Sequence, residues 1–159
     1  MIYLGIDPGL TGAIAAIDDQ AQLILCADLP VIRSGKVAWI DSNELTGLLI
    51  QCRSGRPAQI TVERSQAMPR QGVSSTFTTG VVLGSILAAC QRLAVPLHLV
   101  GASVWKRNMA LDSSKTASID KARLQFPTAE LSRKKDHNRA EALLLAEYSR
   151  RTFNGKAAS

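Results

Sequence analysis

What the chain lacks narrows the reading first. It has only three cysteines, Cys26, Cys52 and Cys90, odd in number, far apart and set among apolar neighbours. That pattern suggests neither a disulfide framework nor a zinc knuckle, and fits reduced packing residues. No apolar run reads as long enough to span a bilayer, so no membrane partner is expected. The N-terminus opens on a strand with a charge at position 7 and does not resemble a signal peptide, which points to a cytoplasmic protein of a bacterial or phage-infected cell. Internal repeats and low-complexity segments are absent.

Acidic residues are also in short supply, unevenly. The chain carries 19 Lys/Arg against 13 Asp/Glu, a net charge of +6. Residues 1–100 hold seven of each sign, whereas residues 101–159 hold twelve basic and six acidic residues, so the whole excess lies in the last third. A basic excess so placed suits a polyanion partner, or a solvated basic surface. With 159 residues and 46% hydrophobic content, the chain suits one domain with a real core, expected over 1–153 with a disordered tail over 154–159.

Three apolar runs, 2–7, 12–18 and 23–29, are joined by short turns and read as a β-meander. Residues 30–41 read as a loop. Asp41 or Ser42 can cap a helix reaching Ser54, with Leu45, Leu48, Leu49 and Cys52 on one face. A strand is expected over 59–65, then a long aperiodic loop over 66–79, and a helix from Gly80 to Ala94. Residues 96–103 form a further strand and VWKRNMAL a short helix or turn. SSKTASIDKARLQF makes a helix stopped by Pro127, and the last helix covers 138–152. Three antiparallel strands, followed by strands alternating with helices, make an α/β mixed sheet.

Two of these strands end on a carboxylate. Ile2, Tyr3, Leu4 and Ile6 lead to Asp7, just before Pro8-Gly9, and Ile60, Thr61 and Val62 lead to Glu63, just before the long loop. A charge at the end of a buried strand must be hydrogen-bonded or matched by a cation. Glu141, one turn into the last helix, is the third candidate, with Asp136 and His137 five and four residues before it. Clustered carboxylates raise one another's proton affinity and favour a divalent cation. Oxygen ligands select Mg²⁺, with Mn²⁺ as substitute, over zinc. Such ions can activate water for phosphodiester hydrolysis. Taken singly, Asp7 also reads as a turn residue, Glu63 as a partner of Arg64, Glu141 as a helix-surface acid, and Asp136 as a complement to a helix N-terminus.

LGIDPGLTGAIA, TVERSQAMP, SSKTASIDKARLQFP and DHNRAEALLLAEY, in that order, resemble the RuvC-type Holliday-junction resolvases, nearest the branch that includes the organellar resolvases. The resemblance covers nearly the whole chain. It implies an RNase H-like fold, a five-stranded mixed sheet flanked by helices, and a Mg²⁺-dependent endonuclease that acts as a homodimer and cuts four-way junction DNA symmetrically. It maps Asp7, Glu63 and Glu141 onto three of four metal ligands. The fourth position, three residues before Glu141, is Asn138, a neutral departure from the family pattern. Asp136 is then expected to complete the set for its charge, with His137 as the alternative.

The loop after Glu63 is expected beside the scissile phosphate. Arg64 and Arg70 can meet phosphates there, Met68 can wedge between bases, and Ser74, Ser75 and Thr76 can donate to backbone oxygens. Phe77 reads as a stacking residue or a core residue. Lys106, Arg107, Lys115, Lys121, Arg133, Lys134 and Lys135 are the expected phosphate contacts, Lys115 foremost because it starts a helix. Gly80, Gly84 and Ala88, at i+4 spacing, offer a smooth face for a two-fold interface or for the chain's own sheet. Other readings are an RNase H-like nuclease acting on RNA–DNA hybrid or flap DNA, and a junction-binding protein that does not cut.

Overall fold

A computed structural model describes residues 1–66, 69–112, 114 and 116–154, with the side chain of Lys134 outside the description. Met68, Lys115 and the expected tail beyond Asn154 lie outside the described residues. Strands β1 (Ile2–Asp7), β2 (Ala13–Asp18) and β3 (Leu23–Asp28) form the expected meander. Strands β4 (Val31–Ser34) and β5 (Val37–Ile40) follow, then helix α1 (Ser42–Arg53) and strand β6 (Ala58–Glu63). Helix α2 (Val73–Gln91), strand β7 (Leu97–Val100), and helices α3 (Ala102–Asn108), α4 (Ala117–Gln125) and α5 (His137–Phe153) complete the chain.

The main sheet has the order β3-β2-β1-β6-β7. β1 pairs antiparallel with β2 and parallel with β6, and β7 extends the parallel half. This is the expected five-stranded mixed sheet with helices on both faces.

Strand alternation divides the core in two. Ile2, Leu4, Ile6, Ile60 and Val62 face Leu45 and Leu49 of α1 and Val82 and Ile86 of α2. Tyr3, Ala13, Ala15 and Ile17 face the other layer, with Trp105, Ala122, Leu143 and Leu144. Gly5 belongs to this second face, and a Cβ there would collide with the Ala142 carbonyl oxygen and the Ala146 amide. Only glycine lets the α5 backbone lie directly on β1.

Three local expectations are corrected. Residues 30–41 are not a loop: β4 and β5 form a hairpin with register Ile32↔Trp39 and a tight turn at Gly35-Lys36, Gly35 having φ of 57°. The signal was short alternation around a two-residue glycine turn. Helix α2 starts at Val73, seven residues earlier than expected. No residue of its first two turns is buried, so they carry no apolar period, and Thr78 and Thr79 hydroxyls donate to the Ser74 and Ser75 carbonyls. Finally, α2 is long and apolar enough, by length and composition, to cross a bilayer. Val82, Ile86, Ala89 and Cys90 nevertheless seat one of its faces on the sheet, as in the outer helix of a domain.

Candidate metal centre

Asp7, Glu63 and Glu141 meet at one end of the sheet. One carboxylate oxygen of each lies within 4.8 Å of the others. The meeting follows from the alternation of the strands: Asp7 shares the face of Tyr3 and Gly5, and Glu63 shares that of Gln59 and Thr61, while Ile6 and Val62 point to the opposite core. β1 and β6 are parallel neighbours, with Ile6 opposite Val62, so both acids leave the sheet at the same end. Glu141 joins them because α5 lies against Gly5, one residue before Ala142.

Among the described residues, hydrogen bonds hold Glu63 and Glu141. The indole N–H of Trp105, a fully buried residue of α3, donates to Glu63 Oε2 at 2.7 Å. Its neighbour Lys106 donates to Glu141 Oε1 at 2.7 Å, and Ser118 Oγ, on α4, donates to the same oxygen at 3.1 Å. Burial, then the charges of Glu141 and Glu63, push the Asp7 carboxyl up to about 8, against a smaller lowering by Lys106. Glu63 is also raised, by burial first, while its bond from Trp105 opposes the shift. Crowded acids with raised proton affinity are the electrostatic signature of a cation site. An all-oxygen donor set of this kind suits a hard divalent ion.

Asp136 is not part of the cluster, contrary to expectation. It is buried, and its carboxylate accepts from the Arg133 backbone N–H at 2.5 Å and from Arg133 Nε at 2.7 Å. Arg133 also donates to Asp28, which accepts from Arg139 Nε at 2.6 Å. Burial works against ionisation of Asp136, but the Arg133 bonds outweigh it and hold its carboxyl below the ordinary range. Asp28 is likewise held down to about 2, its desolvation overcome by Arg133 and Arg139. The network fixes the chain as it enters α5, a structural task that uses the charge expected to bind metal. His137 is exposed and lines a different groove, with Ile119, Arg123 and Arg133. Asn138, one turn before Glu141, instead donates its amide N–H to the Thr11 carbonyl in the β1–β2 turn.

The expected phosphate contacts divide as well. Arg64 and Arg107 are exposed beside the cluster elements, Arg70 is exposed with φ of 66°, and Ser74 and Ser75 are exposed in the first turn of α2. Lys135 is exposed and lies 3.5 Å from Asp28. Lys106 is engaged with Glu141, Arg133 with Asp28 and Asp136, and Lys121 donates to the Met109 carbonyl, bracing the α3–α4 connection. Phe77 is 72% exposed and so is not a core residue. Trp105 and Ser118 escaped the sequence reading, because nothing in the local pattern shows that a short helix and a serine on α4 reach acids far away in the chain.

Two clefts flank the segment after Glu63. One, of about 260 Å³, runs between the β1–β2 turn and α2 and is lined by Gly9, Ser65, Ser75 and Thr79. The other, of about 560 Å³, lies toward α3 and is lined by Glu63, Arg64, Gln66 and Ser103.

No protein-family profile matches the sequence, and no curated protein matches it significantly. Solved structures do match. A structure of T. thermophilus RuvC in complex with Holliday junction substrate superposes with a TM-score of 0.66 at 23% identity, over 93% of this chain and 92% of that one. A second Thermus thermophilus RuvC structure gives a TM-score of 0.57 at 18% identity, over 98% of this chain and 96% of that one. The protein therefore has the RNase H-like fold of the RuvC resolvases, with an acidic cluster where two parallel strands and the last helix converge.

Proposed function

We propose that the protein is a divalent-metal-dependent endonuclease that resolves four-way DNA junctions as a homodimer. The observation that carries this reading is the convergence of Asp7, Glu63 and Glu141 within 4.8 Å in a fold shared with a junction-bound RuvC. Mg²⁺, or Mn²⁺ in its place, would be held by these three carboxylates, and the metal supplies activation of water and stabilisation of the leaving oxygen.

The chain's own residues orient the site. Trp105 fixes Glu63, and Ser118 fixes Glu141, so two of the ligands are held in place from α3 and α4. The clefts on either side of Ser65 and Gln66 give the substrate strand a path past the acids, with hydroxyl donors on one side and Arg64 on the other. Arg107 and Lys135 are further exposed cations available to backbone phosphates.

The dimer reading rests on α2. Val82, Ile86, Ala89 and Cys90 face the core, whereas Gly80 and Gly84 have open space where a Cβ would stand, and Ala88 is exposed. The smooth stripe thus faces outward, together with Phe77 and Val81. Pairing of this face across a two-fold axis would give two identical sites for two strands of like polarity.

The deciding experiment offers a labelled immobile four-way junction, a linear duplex and an RNA–DNA hybrid to the wild type and to Asp7→Asn, with Mg²⁺ or Mn²⁺. Paired symmetric nicks in the junction alone, lost in the variant, are expected. Cutting of the hybrid instead would assign the second RNase H-like activity, and junction binding without nicks a non-cutting role.

A further inference from the structure

The chain brings a cation of its own to the acidic cluster. Lys106 Nζ is 2.7 Å from Glu141 Oε1 and 5.2 Å from the centroid of the Trp105 ring. Its field reaches the other two acids, lowering the proton affinity of both Asp7 and Glu63. The ammonium thus neutralises part of the charge that a divalent ion would neutralise.

Trp105 and Lys106 are adjacent but differ in freedom. Trp105 is fully buried, its indole locked between the core and Glu63. The Lys106 side chain is 36% exposed on a flexible four-carbon stem at the edge of the site, against 18% exposure for Glu141. Helix α3 therefore presents one acid with a fixed hydrogen bond and another with a charge that can swing away. An ammonium bonded to Glu141 Oε1 and a divalent ion ligated by the same carboxylate repel each other strongly in a partly desolvated site.

We propose that Lys106 is the resident counter-cation of the metal-free cluster, that a divalent ion displaces it from Glu141, and that the freed ammonium then serves a phosphate of the bound nucleic acid. This rests on the metallonuclease reading and adds a coupling to it. Metal entry releases a positive charge toward the polyanion, and a phosphate that draws Lys106 outward vacates Glu141 for the metal. Each ligand then strengthens the other by the same factor.

The test uses the whole 159-residue chain, free of DNA, with Mg²⁺ and then Mn²⁺ as the probes. Calorimetric titration compares the wild type with Lys106→Met, Lys106→Gln and Arg107→Met, the last removing an equal charge from the next residue. Both Lys106 variants are expected to bind Mg²⁺ about tenfold more tightly, and Arg107→Met to change affinity less than about twofold. In parallel, the ¹H–¹⁵N ammonium signal of Lys106, sharpened by its carboxylate bond in the metal-free protein, is expected to broaden into the solvent-exchanging population as Mg²⁺ saturates. Unchanged or weaker Mg²⁺ binding in the Lys106 variants, an equal gain in Arg107→Met, or a Lys106 signal that persists at saturation would overturn the displacement. Failure of Mg²⁺ and Mn²⁺ to bind any of the four proteins would instead overturn the metallonuclease reading.

Discussion

Gly5 on β1 and Ala142 on α5 meet backbone to backbone: a Cβ on Gly5 would collide with the Ala142 carbonyl and stand 2.9 Å from the Leu145 carbonyl carbon. Glu141 precedes Ala142, and Asp7 lies two residues beyond Gly5 on the same strand face. The absence of one side chain thus sets the separation of two acids of the cluster. Gly5→Ala is expected to destabilise the fold by about 3 kcal/mol, the cost of overpacking against rigid backbone. Metal affinity should fall as well, because α5 must move outward. Chemical denaturation and a Mg²⁺ titration of the folded fraction check both effects.

Asp7→Asn should stabilise the metal-free protein while abolishing cutting. The Asp7 carboxyl is raised to about 8 in the fold, from an ordinary value of 3.8. A group raised in this way binds its proton more tightly when folded, so the Asp7 contribution to metal-free stability is fully present below about pH 4 and is lost as pH rises through about 8. The variant lacks that decline. Melting in EDTA across pH 4 to 9 is expected to show the two proteins converging in acid, with the variant higher by roughly 5 °C or more at pH 8. A lower melting temperature for the variant at every pH would make Asp7 a structural turn residue.

Trp105→Phe keeps most of the buried ring and removes only the N–H donated to Glu63. A hydrogen bond to a charged acceptor contributes about 2 kcal/mol. The proton affinity of Glu63 should therefore rise, and Mg²⁺ affinity at pH 7 should fall about tenfold or more, with the far-UV spectrum unchanged. Lost binding should recover partly at higher pH, which a purely structural defect would not show.

Asp136→Asn is expected to leave DNA-free Mg²⁺ affinity within about twofold and to reduce stability by about 2 kcal/mol, since the charge-assisted bonds from Arg133 weaken. The Asp136 carboxyl is held below its ordinary range, so its contribution is present above about pH 4 and lost as pH falls through its lowered value. Acid melting curves of the wild type and the variant should converge accordingly. A large loss of Mg²⁺ affinity would return Asp136 to the metal shell.

Gly84→Glu places a charge in open space on the outward stripe of α2. The domain should keep its melting temperature within about 3 °C, because nothing in the fold is displaced. If this stripe pairs two copies as proposed, the wild type is expected to sediment as a dimer and the variant as a monomer, with paired junction nicks becoming single ones.

The sequence by itself determined the three-strand meander, α1 with a cap at Asp41 or Ser42, β6, and the ends of β1 and β6 on Asp7 and Glu63. Continuous apolar runs stopped by a charge and a turn are local signals, and side-chain alternation carries them intact into the sheet. It also marked Glu141, one turn into α5. The β4–β5 hairpin was missed because four-residue strands leave too short a period, and the start of α2 because its first turns bury nothing. Only the tertiary structure decided which acids meet. Asp136 and Glu141 are five residues apart on neighbouring turns, and no local pattern says that Arg133, tied to Asp28 across the fold, claims the first. Nor does any say that Trp105, Lys106 and Ser118 reach back to Glu63 and Glu141. Those pairings depend on how α3, α4 and α5 stack on the sheet, and the packing of one bare backbone, Gly5, fixes where α5 lies.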